Sequence, residues 1–171
     1  MIEKFSLDHV GKSAGVFNTE KLLDLNAWYI RESSDEFLVE QLIPFLEKLG
    51  ISDPDQAILR EIVPHLKARS KTLVEMAEGA KFCFQEEVEY EKKADDKFLK
   101  KGVAQLLNNL TDALKKTNPF DQEMLEKTFI TFLEENEIKL RKIAQPLRVA
   151  LTGKTASPGI FEIMQVLGKE K

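Results

Sequence analysis

Apolar residues recur along most of the chain at spacings of three and four, the period of an amphipathic α-helix. One such run follows Ser33 and Glu36, which form a predicted capping box, and lasts until Gly50. Its apolar stripe consists of Leu38, Leu42, Phe45 and Leu49. No segment sustains the alternation typical of a strand, and no Asn-Gly or Asp-Gly pair indicates a hairpin. The pattern predicts an all-α fold.

Capping residues and helix breakers set the other predicted boundaries. Asn18 is expected to cap a helix through TEKLLDLNAWYIRE. Asp53 is expected to cap a later helix, which Pro64 should interrupt because proline removes a backbone donor. A further helical run is predicted from about residue 70 to residue 84.

The second half of the chain repeats this organisation. Asp95 or Asp96 is predicted to begin a long helix through FLKKGVAQLLNNLTDALKK, and Asp121 to cap the next one. The charged stretch 85–97 has too little apolar content to fill a core. It is therefore the expected junction between two helical subdomains, 1–90 and 91–171.

Composition limits the possible functions. The chain has 171 residues, of which 43% are hydrophobic, and no apolar run approaches the roughly 20 residues that span a bilayer. The N-terminus lacks the continuous apolar region of a secretory signal, so we expect a soluble cytoplasmic protein without membrane contact. A single cysteine, Cys83, excludes an internal disulfide, and His9 and His65 alone do not give zinc-ligand spacing. No metal site is expected.

Charge is unevenly distributed. The net charge is -4, yet residues 139–171 contain seven basic and two acidic side chains, a local +5. The preceding 138 residues therefore carry -9. A basic end on an acidic body can direct a polyanion to one face, although a solvated lysine-rich tail would have the same composition.

The segment QPLRVALTGKTASPGIFEIMQVLG joins a basic helix end, a glycine bend and a new helix start. Ser157 as cap and Pro158 at the first helical position are expected to open the last helix, whose unpaired N–H groups suit a phosphate. Its buried stripe is expected to consist of Ile160, Ile163, Met164 and Leu167. Phe161 lies about 100° away from Ile160 and is free to meet a base, or alternatively to pack against a neighbouring helix.

The preceding helix should turn Leu140, Ile143, Leu147 and Leu151 inward. That orientation sets Arg148 at the edge of the apolar face, where a planar guanidinium can read a base edge. Lys154, Lys142 and Lys139 are candidate phosphate contacts. The tripeptide GKT at 153–155 is not a phosphate loop, because Arg148 stands where such a loop needs glycine.

Three blocks resemble bacterial glutamyl-tRNA synthetases: FSLDHVGKSAGVFNTEKLLDLNAWYIRE, LKARSKTLVEMAEGAKFCF and AQPLRVALTGKTASPGIFEIMQVLGKE. They occur in the family's order and cover nearly the whole chain. The resemblance implies an α-helical anticodon-binding region in two parts, whose partner is tRNA. By position in the motif, Arg148 matches an arginine that contacts an anticodon base, and Arg69 matches a second one more loosely. The residues that match the turn around the anticodon are Ser157, Pro158, Ile160 and Phe161.

Family members are class I ligases that join glutamate to tRNA with ATP and magnesium. The resemblance implies that a catalytic domain with the nucleotide-binding signatures precedes Met1, and that this chain alone is not catalytic and binds no cofactor. A monomer is expected. The alternative is a helical protein-interaction module, which would show a contiguous exposed apolar patch and no salt-dependent RNA affinity.

Overall fold

A computed structural model describes residues 15–170 of this chain. His9 and residues 5–14 of the first block of the family resemblance lie outside these residues. Within them the chain forms nine α-helices, one short 3-10 helix at Lys81–Cys83 and no strand, which confirms the all-α prediction. The helices are α1 (Thr19–Glu32), α2 (Asp35–Lys48), α3 (Gln56–Lys67), α4 (Leu73–Ala80), α5 (Lys92–Phe98), α6 (Lys101–Leu114), α7 (Gln122–Glu135), α8 (Leu140–Thr152) and α9 (Ile160–Leu167).

Two predicted helix caps are confirmed by hydrogen bonds. The side chain of Asn18 accepts from the backbone N–H of Lys21 at 3.0 Å, and that of Asp121 accepts from Met124 N–H at 2.9 Å. Each cap satisfies one of the backbone donors that a helix leaves unpaired at its N-terminus.

Several predicted boundaries are wrong by one or a few residues. Ser34, not Ser33, caps α2, since the hydroxyl of Ser33 donates back to the Tyr29 carbonyl in α1. Asp55 rather than Asp53 caps α3, because Asp53 adopts a left-handed conformation with φ of 55° in the preceding turn. Pro64 does not interrupt α3, which continues through it to Lys67.

The chain between the two helical groups is more ordered than its composition suggests. It contains α5, and its residues 88–91 cross the C-terminal end of α8. The Glu91 N–H donates to the Gly153 carbonyl at 3.0 Å, and Lys81 Nζ donates to Glu89 Oε2 at 2.8 Å. The hydrogen bond from Lys81 holds the pKa of Glu89 below its usual value. This charged segment is therefore hydrogen-bonded to both helical groups, to the first through Lys81 and to the second through Gly153.

Two apolar clusters stabilise the fold. Helices α2, α3 and α4 contribute most of the first, and α6, α7 and α8 most of the second. Helix α9 belongs to both, since Ile163 and Val166 enter the first cluster and Met164 enters the second. The last helix therefore links the two groups, and the boundary at residues 90 and 91 stays a prediction.

Candidate nucleic-acid interface

A bend of residues 153–159, the corner loop, connects α8 to α9. Gly153 ends α8 in the left-handed conformation with φ of 72°, as the glycine stop predicts. The predicted start of α9 is wrong: Gly159 caps it, and Ser157 and Pro158 belong to the loop. The hydroxyl of Ser157 does not cap α9, because it accepts a hydrogen bond from Arg148 and donates one to the Pro158 carbonyl.

The N-terminus of α9 already has an acidic partner. The N–H of Gly159 donates to Glu162 Oε2 at 2.8 Å, and the same oxygen lies 3.4 Å from His65 Nδ1. This carboxylate complements the positive end of the helix dipole. The expectation that the unpaired N–H groups of α9 receive a phosphate is therefore wrong at Gly159.

Arg148 projects from the last turns of α8 onto the corner loop. Its Nη1 donates to the Ser157 carbonyl at 3.0 Å, and also to Ser157 Oγ and the Pro158 carbonyl. Within residues 15–170 no acceptor is recorded for its Nε and Nη2. One arm of the guanidinium thus holds the loop, while the other donors stay available.

A groove of about 430 Å³ lies beside this loop, and Arg69 and Ser70 form its opposite wall. Ser157, Pro158 and Lys154 line the loop side. Burial lowers the pKa of Arg148, and the neighbouring charge of Arg69 lowers it further, against the opposing effect of Glu162. Arg69 therefore lines the groove, and its charge lies close to that of Arg148, which holds the loop that forms the facing wall.

Lys154 is held within the chain. Its Nζ donates to the Glu78 carbonyl at 3.1 Å and lies 3.6 Å from Glu78 Oε2. The side chain links the corner loop to α4. A phosphate contact by Lys154 would have to compete with this carboxylate.

Comparison with known proteins identifies the family. A family model described as "Anticodon binding domain" matches residues 37–171. The chain belongs to the anticodon-binding domain family. The resemblance to glutamyl-tRNA synthetases is likewise confirmed, because the chain is 48% identical over 170 residues to the glutamate–tRNA ligase of Syntrophobacter fumaroxidans and 44% identical over 171 residues to that of Geobacter sulfurreducens.

These alignments cover 99% and 100% of the chain, which spans only 36% and 37% of the two ligases. A crystal structure of a glutamate tRNA ligase from Elizabethkingia meningosepticum in complex with its amino acid superposes with a TM-score of 0.83 at 25% identity. That superposition covers 99% of this chain and 33% of the other. The chain therefore corresponds to about a third of such a ligase.

The anticodon-binding domain does not bring all predicted contacts to the groove. Lys139 and Lys142 are exposed near the N-terminal end of α8. On an ideal helix Lys142 lies about 9 Å along the axis from Arg148 and about 120° around it, and Lys139 lies on the opposite side. Leu140, predicted to face inward, is 57% exposed.

The first residues of the last helix pack against the second apolar cluster. The ring of Phe161 is half-buried and packs edge-on with Phe129 of α7, with ring centroids 5.5 Å apart. This contact favours the alternative in which Phe161 packs against a neighbouring helix. Ile160 is half-buried against the second apolar cluster, in agreement with its place in the predicted buried stripe. The recognition roles of all these residues stay predictions.

Sequence reasoning missed Glu162 and Ser70. Glu162 stands three residues after Gly159, the spacing of a capping box, so the signal was present once the cap was correctly assigned. Ser70 is buried, and its hydroxyl donates to the Leu66 carbonyl at 3.0 Å, which fixes the turn after α3. Nothing local in the sequence indicates that this turn meets the corner loop.

Residues 15–170 show neither a cluster of metal-ligating side chains nor a phosphate loop. No group of three or more His, Cys, Asp and Glu side chains within residues 15–170 is arranged to hold a metal ion. The GKT tripeptide follows a helix rather than a strand, so it does not form a phosphate loop. Across the same residues, no helix has the length and hydrophobicity needed to span a membrane.

Proposed function

We propose that the groove between Arg69 and the corner loop recognises the anticodon of a tRNA. The observation that supports this proposal most is the convergence of Arg148 and Arg69, which are close enough for their charges to interact. Neither guanidinium group forms an ion pair within residues 15–170. Beside a groove of about 430 Å³, they suit bases and phosphates of a splayed single strand.

The residues around the groove have different roles in recognising the anticodon. Arg148 and Arg69 offer paired N–H donors to the edges of unstacked bases, each worth roughly 1 to 3 kcal/mol of discrimination. Ser157 and Pro158 form the loop that shapes the groove, and their carbonyls orient Arg148. Ile160 supports the loop from the apolar cluster below. The ring of Phe161 offers stacking only on the part that Phe129 leaves uncovered.

Arg69→Gln tests this proposal directly. We expect the variant to lose much of the preference for the cognate anticodon, because Arg69 is exposed at the groove wall and carries no fold-stabilising contact within residues 15–170 other than its backbone N–H bond to Leu66. The measurement is the affinity for an anticodon stem–loop and for stem–loops with single base changes, at several salt concentrations.

Lys142→Gln is the matched control, since it also removes one positive charge but lies away from the groove. It should keep the full base preference. Two results would contradict the assignment. Arg69→Gln could keep the base preference of the unsubstituted chain, or Lys142→Gln could lose as much base preference as Arg69→Gln.

For the whole protein we propose the activity of a glutamate–tRNA ligase. The alignment with about a third of such ligases supports a separate catalytic domain that binds ATP and magnesium, with this chain supplying tRNA contact. A monomeric, cytoplasmic ligase is the corresponding expectation. Lys139, Lys142 and Lys154 then act only as weak phosphate contacts around the stem–loop.

An exposed apolar face supports a second function, contact with another protein surface. On α1 the residues Leu22, Leu25, Trp28 and Tyr29 share an arc of about 120° opposite the buried Ala27 and Ile30. Trp28 and Tyr29 are 48% and 58% exposed. Helix α1 lies outside the residues that match the anticodon-binding family, so this face suits the additional domains that the longer ligases carry.

Leu25→Gln with Tyr29→Gln separates the two functions. Because this face is directed away from the groove, we expect the double variant to bind the stem–loop as tightly as the unsubstituted chain. Its melting temperature should not fall. If stem–loop affinity disappeared with these substitutions while Arg69→Gln bound normally, RNA would occupy the face of α1 instead of the groove.

A further inference from the structure

A second, smaller groove continues the first one toward α1. It has a volume of about 190 Å³, and its walls come from the last turns of α1 and from the turn after α3. Arg69 and Ser70 line both grooves, so the two share a wall. Arg31 of α1 stands at the other side of the smaller groove. A continuous path therefore runs from the corner loop past Arg69 to Arg31.

The charged side chains that line the smaller groove leave a surplus of two positive groups. Asp24 compensates the positive charge of Lys71, since Lys71 Nζ lies 2.8 Å from Asp24 Oδ1. This hydrogen bond raises the pKa of Lys71, which keeps it protonated. Arg31 and Arg69 form no ion pair with any described carboxylate. The smaller groove therefore presents two guanidinium groups whose charge is available to an anion.

Hydrogen bonds within the chain hold the walls of the smaller groove. Asn26 of α1 donates through Nδ2 to the Lys71 carbonyl at 2.5 Å, which ties the helix to the turn between α3 and α4. Ser70 on the shared wall is buried and bonded to Leu66. A pre-formed site loses less conformational entropy when it binds a ligand.

We infer that Arg31 holds a backbone phosphate of the tRNA strand that leaves the anticodon groove past Arg69. This inference rests on the function proposed above and extends it to a helix outside the family match. A phosphodiester fits because guanidinium groups bind phosphate oxygens through paired N–H donors. Such a contact adds affinity and orients the strand but reads no base. Arg31 is therefore a positioning residue.

Arg31→Gln tests the inference in stem–loop binding across a tenfold range of salt. The logarithmic salt slope should fall by about 0.7, which is the value for one single-strand phosphate contact. Arg31→Gln should accordingly lose about fivefold more affinity at the low-salt end than at the high-salt end, relative to the unsubstituted chain. The preference among anticodon sequences should not change, and neither should the melting temperature, because Arg31 is exposed.

Lys21→Gln is the matched control, since it removes one charge from the same helix about 15 Å along the axis from Arg31. Stem–loops with a single uncharged methylphosphonate then locate the contact. One position should weaken binding to the unsubstituted chain and to Lys21→Gln but leave binding to Arg31→Gln unaffected.

The failures of the two proposals are distinguishable. If the chain binds with the expected base preference but Arg31→Gln keeps the full salt slope, or Lys21→Gln loses as much of it, the role of Arg31 is overturned and the anticodon groove stands. If the unsubstituted chain has no salt-dependent affinity for the stem–loop, both proposals fail and the grooves are better explained as a protein interface.

Discussion

Replacing Gly153 with alanine is expected to destabilise the protein by about 2 to 5 kcal/mol, since it combines two costs. The residue adopts φ of 72°, a left-handed conformation that an L side chain resists. In addition, an added Cβ would overlap the Glu89 carbonyl oxygen and lie 2.9 Å from its carbon and 3.0 Å from Val88 Cγ1. The crossing segment would have to move, which also breaks its bond to the Gly153 carbonyl. Urea unfolding measures the loss.

Gly50→Ala separates the two costs. Gly50 has φ of 82°, yet no atom lies within 4 Å of the position that its Cβ would occupy. We therefore expect Gly50→Ala to lose about 1 to 2 kcal/mol and Gly153→Ala to lose distinctly more. Equal losses would mean that the crossing segment moves aside freely and does not support the corner loop. A second consequence concerns function: Gly153→Ala should weaken stem–loop binding, whereas Gly50→Ala should not.

Arg148→Ala should lower the affinity for the cognate stem–loop by about 10-fold to 100-fold, because it removes a base contact and releases the corner loop. The side chain makes three hydrogen bonds to Ser157 and Pro158, of which the one to the Ser157 carbonyl measures 3.0 Å. Their loss should also lower the free energy of unfolding by about 1 to 2 kcal/mol. Arg148→Lys should recover little of either quantity, since one ammonium cannot hold the loop and a base together.

Arg141→Ala is the control for this substitution. It removes an exposed arginine near the N-terminal end of the same helix, so affinity and stability should change little. The pattern across anticodon sequences distinguishes the two roles of Arg148. Uniformly weaker binding with unchanged base preference would show that Arg148 only supports the loop and that Arg69 reads the anticodon.

Local sequence signals were sufficient to predict the helices and the positions of some helix ends. Apolar residues at intervals of three and four predicted the all-α fold because a helix needs one apolar face to enter a core. Asn18, Asp121 and Gly153 were correctly assigned as cap or stop residues, since each acts through backbone groups within a few positions. The predicted cap was wrong where two neighbouring residues could serve, as at Ser33 and Ser34, because either hydroxyl can accept a hydrogen bond from a backbone N–H of the helix.

Long-range contacts were not accessible to the same reasoning. Nothing within a few residues of Phe161 indicates that its ring meets Phe129, and the helix wheel alone left it free. The acidic partner of α9 was missed because the cap was assigned two residues too early. Lys154 was grouped with the other basic residues by sequence distance, whereas its Nζ bonds to Glu78 in α4.

The sequence by itself determined that this protein is helical, that its basic residues collect near its C-terminal end, and that its segments resemble an anticodon-binding region. Only the tertiary structure decided which cations share a groove. Arg31 and Arg148 lie in α1 and α8, and Arg69 lies in the turn after α3, so their approach depends on how these elements pack around the two apolar clusters. Packing brings distant residues together through many weak contacts, so no local pattern in the chain encodes it.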